Sequence, residues 1–247
     1  MSEPTVGGLP DTGERMLPSA EGETSVVFAR HKYTYEFVKD LVQAKTVLDI
    51  GCGAGYGCKI LAGSAMNVVG VDRDPRAIAY SREHSAAPNL TFLEGETGRL
   101  MFDRKFDVCL SFQLIEHLTS PVDFIQEMKR WTNPRGQVLI STPNSKVGLH
   151  GKPDNPFHVS EMTYEEFRRV IEGSFRSWKI IGIGYASKSK MRQFVFDSPL
   201  YAVGRMLKRK SKVKKVASGI LGLSSFRVVE SNIAEESIDL LAICVNG

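Results

Sequence analysis

The stretch VLDIGCGAGYG, from Val47 to Gly57, sets four glycines behind an apolar run that closes on an aspartate. A glycine-rich turn between a strand and a helix lets a ligand approach bare backbone, where unpaired N–H groups point outward. That much suits any nucleotide-like ligand. Asp49 narrows the choice, because it stands two residues before Gly51 and its carboxylate is expected to face the ligand's entrance. A pyrophosphate there would bring like charges together in a partly buried cleft, where their repulsion is several-fold stronger than in water. A ligand bearing an ammonium group fits better. A second acid, Asp72, closes the apolar run VVGVD about twenty residues past the glycines, a spacing at which a carboxylate can accept ribose hydroxyls.

Candidate bases are few, since the chain has five histidines. His84 belongs to an outer helix, and His31 to the first helix, where it can face either way. Glu116 and His117, in LIEHL, follow the fourth apolar run. His158, in NPFHVSEM, and His150 lie on a long loop with glycine and proline, of the kind that forms lids. His158 is the first choice for general base, with Glu116 and His117 behind it; each also has a plainer reading as a packing or loop residue. No acidic cluster suggests a catalytic magnesium, so no metal is expected. Cys52, Cys58, Cys109 and Cys244 are scattered, without metal-ligand spacing, and read as reduced thiols of a cytosolic protein.

These residues need elements to hold them. TVLDI, NVVGVD, LTFLEG, FDVCLSF and GQVLIST read as buried strands, separated by helical stretches. WKIIGIGYA and IDLLAICVN complete the set. Ser120 is placed to cap SPVDFIQEMKRWT, and Thr163 with Glu166 forms a capping box for TYEEFRRVIEG. Alternating strands and helices with continuous apolar strands predict an α/β fold: a Rossmann-like, mostly parallel seven-stranded sheet with helices on both faces. The expected organisation is a flexible N-terminal arm over 1–26 and one domain over 27–247, with a basic helical insertion at about 187–236. No apolar run reaches the roughly 18 residues that span a bilayer, and the first residues lack the form of a signal peptide.

In their order and spacing, VLDIGCGAGYG, VVGVDRDPRAIAYSRE, LTFLEGE, FDVCLSFQLIEHL and PRGQVLISTPN resemble the motifs of the class I S-adenosylmethionine (SAM)-dependent methyltransferases. The resemblance covers about Val27 to Phe175 and is strongest to the branch with quinone O-methyltransferases and bacterial glycan and natural-product methyltransferases. It implies SAM as cofactor, whose methionine amine and sulfonium carry the positive charge that suits Asp49. By resemblance, Asp49, Gly51, Cys52 and Gly53 would hold the methionyl end and Asp72 the ribose, and the neighbouring Arg73 counts among the cofactor-binding residues. Glu96 stands where an aspartate is usual, so the adenine contact can pass to Thr97. Phe112 and Gln113 would line the ring and the methyl group. PRG replaces the usual Pro-Gly-Gly, so Arg135 must make the turn another way.

The resemblance implies methyl transfer, and the acceptor expected is a hydroxyl of a sugar, glycan or lipid-linked intermediate. A quinone or natural-product O-methyltransferase, and a non-catalytic SAM-binding module, are the alternatives. The net charge of +4 is local in origin: Arg205 to Lys215 holds seven cations and no acid, leaving the remainder at −3. With apolar residues at helical spacing, that stretch reads as a basic amphipathic helix, for an anionic membrane surface at the cytosolic face or as a cover for the cleft. Nucleic acid is disfavoured, because stacking aromatics are nearly absent there.

Overall fold

The computed structural model describes residues 5–6, 9–10, 26–146, 155, 157–186 and 223–247. Eight strands form one sheet: β1 (Thr46–Ile50), β2 (Asn67–Asp72), β3 (Leu90–Glu94), β4 (Phe106–Phe112), β5 (Thr132–Pro143), β6 (Ser177–Tyr185), β7 (Phe226–Val229) and β8 (Asp239–Val245). Their order is β3-β2-β1-β4-β5-β8-β6-β7. The first five run parallel, while β8 lies antiparallel between β5 and β6. Thr5–Val6 and Leu9–Pro10 make a separate two-stranded antiparallel pairing.

Strand number departs from the sequence reading. The eighth strand, β7, falls inside the region expected to be a helical insertion and pairs antiparallel with β6. Its run FRVV is short and half-buried, and gives too few residues for an alternation to stand out. The basic stretch Arg205–Lys215, His150 and most of the N-terminal arm lie outside the described residues. Among the described residues no helix is long and apolar enough to cross a membrane.

Helices cover both faces because strands such as TVLDI and FDVCLSF are buried along nearly their whole length. On one face α1 (Val26–Val38), a 3-10 turn (Lys39–Val42), α2 (Tyr56–Ala62) and α3 (Pro75–His84) enclose a core of Tyr35, Val38, Val42, Cys58, Leu61 and Ile78. On the other, α4 (Pro121–Trp131) and α5 (Tyr164–Ser174) pack Ile125, Met128, Phe167 and Ile171 against Leu48, Ile140 and Leu240. Thr163 and Glu166 form the expected capping box. Ser120 occupies the N-cap of α4, but its hydroxyl makes no capping bond; Pro121 at the first position already removes one orphan N–H. Arg135 makes its turn with φ of +62°, held by its N–H donating to the carbonyl of Asn246 at 2.7 Å.

Gly57 on α2 tests how tightly the first face is packed. Alanine would normally strengthen a helix here by up to about 1 kcal/mol. A Cβ on Gly57, however, would fall inside the buried ring of Tyr35. Overpacking of this kind costs about 1–3 kcal/mol, so packing outweighs propensity. Gly57→Ala is therefore expected to lower the urea midpoint; an unchanged or higher midpoint would show that α1 does not press on α2 as described.

Candidate active site

The glycine loop between β1 and α2 is stitched to the end of β2. The N–H groups of Gly51 and Cys52 both donate to the carbonyl of Val71, at 2.8 and 2.9 Å. Asp72 accepts from the Gly53 N–H through one oxygen and from the Asp74 N–H through the other, each at 2.9 Å. Three of the four glycines answer to crowding. A Cβ at Gly51 would meet Leu114, at Gly55 it would meet Phe92 and Ser81, and at Gly57 it would meet Tyr35. Gly51, Gly53 and Gly55 all have positive φ, of +82°, +54° and +77°, but of the four only Gly53 has open space, among the described residues, where a side chain would project.

Asp49 is not where the sequence reading puts it. Its carboxylate is fully enclosed beneath the loop rather than open to an entrance. One oxygen accepts from the Tyr35 hydroxyl and the Cys58 thiol, both at 3.1 Å, and the other is buried without a hydrogen-bond partner. Burial pushes its pKa up to about 7, against the pull of Cys58 and Tyr35 and with a further push from Asp72. Tyr35 in turn packs on Phe112, ring centroids 4.8 Å apart, and on Tyr56. Cys52 is buried beside Cys58, and all four cysteines are unpaired and buried.

The remaining cofactor candidates are spread around this loop. Phe112 is buried at the end of β4. Gln113 follows with φ of +56°, a left-handed conformation uncommon outside glycine, and its N–H donates to the carbonyl of Ser141 at 3.0 Å. Arg73 is exposed and Thr97 half-buried. Glu96 is exposed as well and pairs with Arg99 at 3.6 Å.

The catalytic candidates converge at the carboxyl ends of β4 and β5. Glu116 lies in a 3-10 turn (Ile115–His117), buried, and accepts from the Thr142 hydroxyl at 3.3 Å. Its backbone carbonyl takes the N–H groups of Val159 and Ser160, which ties the loop after β5 to this turn. Burial pushes the Glu116 carboxyl up to about 8, with Asp239 adding to the rise. His158 meets Glu161 through Nδ1 at 2.5 Å and Asn155 through Nε2 at 2.9 Å. His117 sets its Nδ1 at 3.1 Å from the Phe157 carbonyl and packs edge-on against His158, centroids 4.7 Å apart. The ligand atoms of Glu116, His117 and His158 all lie within 4.8 Å of one another. The three catalytic candidates thus come together, in a set that can also hold a divalent cation, although no metal was expected from the sequence.

His84 stacks on Tyr80 at the surface, ring centroids 4.0 Å apart. His31 is pushed down to about 3 by burial and by Arg30, so it stays neutral. Sequence reading missed Tyr35, Arg30, Asp239 and Glu161. Arg30 and Asp239 form a buried ion pair at 2.6 Å between α1 and β8. The Asp239 carboxyl is still pushed up to about 6 by burial, with Arg30 and Gln113 pulling it back. One signal was in plain view: Asp239 opens an otherwise apolar strand, and a lone acid there needs a partner.

A family model described as "Methyltransferase domain" matches residues 41–193. A "Probable S-adenosylmethionine-dependent methyltransferase" of Mycolicibacterium smegmatis is 35% identical over 167 residues, 66% of this chain and 64% of that protein. A "Ubiquinone biosynthesis O-methyltransferase" of Actinobacillus pleuropneumoniae is 31% identical over 110 residues, 40% of this chain and 46% of that protein. The chain therefore spans less than two thirds of either relative. Among solved structures, the N-methyltransferase NodS of Bradyrhizobium japonicum, in complex with S-adenosyl-L-homocysteine, superposes with a TM-score of 0.52 at 14% identity, over 88% of this chain and 86% of that one. That likeness concerns the fold.

The enclosed Asp49 makes the ligand-free protein pH-sensitive in a definite direction. Its folded pKa lies above the ordinary value of 3.8, so the native state holds a proton that the unfolded chain has released. Stability from this group is complete below about pH 4 and is lost as pH rises through about 7. Asp49→Asn removes the titration. Relative to the native chain, the variant should gain ~2–4 kcal/mol between pH 4.5 and pH 8 in urea unfolding, while Glu116 and Asp239 titrate alike in both. A flat difference would mean that the carboxylate is hydrated.

Proposed function

The chain belongs to the S-adenosylmethionine-dependent methyltransferase family, and on that premise we propose that it methylates a hydroxyl of a sugar, glycan or lipid-linked acceptor. The observation that carries this reading is His158, braced by Glu161 and set against His117 and Glu116 at the strand ends. Methylating a hydroxyl requires a group to take its proton, and these three are the candidates at hand. Glu116 is the weakest of them: with its carboxyl pushed up to about 8, it is mostly protonated at neutral pH. His117 offers its Nδ1 to a backbone carbonyl, whereas His158 offers its own to a carboxylate that stabilises an imidazolium. His158 is therefore assigned to accept the acceptor's proton on Nε2.

The cofactor side fits a cationic, methionine-like ligand on two counts. Asp49 has a buried oxygen without a partner, and Gly53 leaves open space where a side chain would stand. Bound SAM would supply an electrophilic methyl group on a sulfonium. Gly51, Cys52 and Gly53 would hold its methionyl end, with Asp49 acting from beneath the loop, and Asp72 with Arg73 its ribose. Glu96 and Thr97 are assigned to the adenine edge, and Phe112 and Gln113 to the neighbourhood of the ring and methyl group. The enclosure by Tyr35, Phe112 and Tyr56 helps to exclude water from that end.

Two further readings have observations behind them. Similarity to ubiquinone biosynthesis O-methyltransferases favours a quinone-type phenol as acceptor. The mutual approach of Glu116, His117 and His158 favours a divalent cation that binds and acidifies the acceptor hydroxyl. For the basic stretch, seven cations at about 1 kcal/mol each would attract an anionic leaflet, a charge pattern in keeping with an acceptor held at a membrane surface.

The test is incubation with methyl-labelled SAM and a lysate, followed by counting label in glycan, lipid, protein and nucleic-acid fractions. Label in the glycan or lipid-linked fraction is expected. Label confined to a quinone fraction would transfer the assignment to the second acceptor, and bound SAM without any turnover would return the non-catalytic module. His158→Asn should lower kcat by about 10²–10⁴-fold while SAM affinity holds. Loss of activity on chelation, restored by added divalent cation, would favour the metal reading over the base. Replacing the seven cations of Arg205–Lys215 with glutamine should abolish co-sedimentation with anionic vesicles; retained binding would sink the membrane assignment.

A further inference from the structure

Each carboxylate oxygen of Glu161 has its own task. One meets His158 Nδ1 at 2.5 Å, and the other accepts from the Ser145 hydroxyl at 2.8 Å. Ser145 is itself held by its N–H donating to the carbonyl of Met162, next to Glu161 in the chain, at 3.0 Å. The carboxylate is therefore clamped between the end of β5 and the loop that carries His158, with little exposure for either partner of the pair. On the other side of the ring, Asn155 turns its Nδ2 toward His158 Nε2 at 2.9 Å. The orientation of that amide is set independently, because its Oδ1 accepts from the Phe157 N–H at 3.0 Å.

These contacts agree on one tautomer. A carboxylate can only accept from Nδ1, and an amide NH₂ can only donate to Nε2. The ring therefore carries its proton on Nδ1 and presents a lone pair at Nε2, the atom a base or a metal ligand must keep free of hydrogen. We propose that Glu161 is the positioning residue of this site, holding His158 in the Nδ1–H tautomer, and that the Asn155 amide occupies the place on Nε2 that the acceptor's hydroxyl takes over. The proposal rests on the methyl-transfer reading of His158. In that step the acceptor's O–H bond breaks, its proton goes to Nε2 and the electron pair stays on oxygen. The imidazolium that forms keeps Nδ1–H on Glu161. The titratable groups facing the ring among the described residues are Glu161, Glu116 and His117.

The experiment reads the tautomer directly, by ¹⁵N NMR of the full chain labelled in histidine, with His158 assigned by its loss in His158→Asn. The native protein should show a single Nδ1–H tautomer for His158. Glu161→Gln should lose that uniqueness and lower kcat about 10- to 100-fold at unchanged SAM affinity, the usual cost of removing a partner behind a functional imidazole. Glu161→Asp, which keeps the acceptor charge, should recover part of both. Glu161→Gln added to His158→Asn should cost nothing more, since the two act as one unit. An unchanged tautomer with native kcat in Glu161→Gln overturns the proposal, as does full additivity with His158→Asn. Native turnover in His158→Asn would instead overturn the base assignment, whatever the tautomer.

Discussion

The enclosure of the Asp49 carboxylate under the glycine loop is the constraint on which the first half of the molecule depends. A buried carboxylate must be hydrogen-bonded or protonated, and here both are in play. Its partners come from different elements: Tyr35 from α1 and Cys58 from α2. Reaching Asp49 brings the Tyr35 ring hard against α2, which leaves room only for glycine at position 57. The same ring then meets Phe112 at the end of β4, so the loop, two helices and two strands share one contact. Gly57 follows from this crowding, whereas Gly51 and Gly55 answer to Leu114, Phe92 and Ser81, and Gly53 is left as the position where a ligand can approach the backbone.

The second half is organised by charge as well, but across the antiparallel seam. Asp239 opens β8 beside β5 and is neutralised by Arg30 from α1, while Glu116 stays buried a short way off. The first helix thus reaches both groups of buried acids, Asp49 through Tyr35 and Asp239 through Arg30. Breaking either partnership would leave an acid buried with less support, a costly state that favours protonation or rearrangement. Placement of α1 over both ends of the site is therefore enforced by electrostatics in addition to the apolar contacts of Phe28, Tyr35 and Val38.

How much of this was legible in the sequence depends on the range of the interaction. The five parallel strands, the capping box at Thr163 and the turn at the glycines are local and could be read directly. The side-chain direction of Asp49 could not, because its partners lie 14 positions before it and nine after it. Ser120 has the right residue type at the right place, yet its hydroxyl makes no capping bond, which residue type and position alone do not reveal. The edge strand β7 is too short for periodicity to single it out, and its partner β6 supplies most of the information. Like Asp239, Glu161 carries a readable signal: it follows His158 by three positions, at the end of the loop that reads as a lid.

Burial leaves both sides of the site with acids that are easy to protonate, and that bears on how a cationic ligand is recognised. Asp49 titrates near 7 only while no cation is close by. A ligand ammonium held by the loop above it would favour the ionised form and release the proton, so part of the binding free energy goes into that ionisation. A permanently charged, solvated carboxylate would bind more strongly at low pH but would discriminate less, since water would screen its field. An enclosed carboxylate with one unsatisfied oxygen does the opposite: burial holds back its ionisation, and a nearby cation would shift it toward the charged form. On the proposed reading, the loop above it can be bare glycine, because the charge that would select a cation lies beneath the backbone rather than in side chains above it.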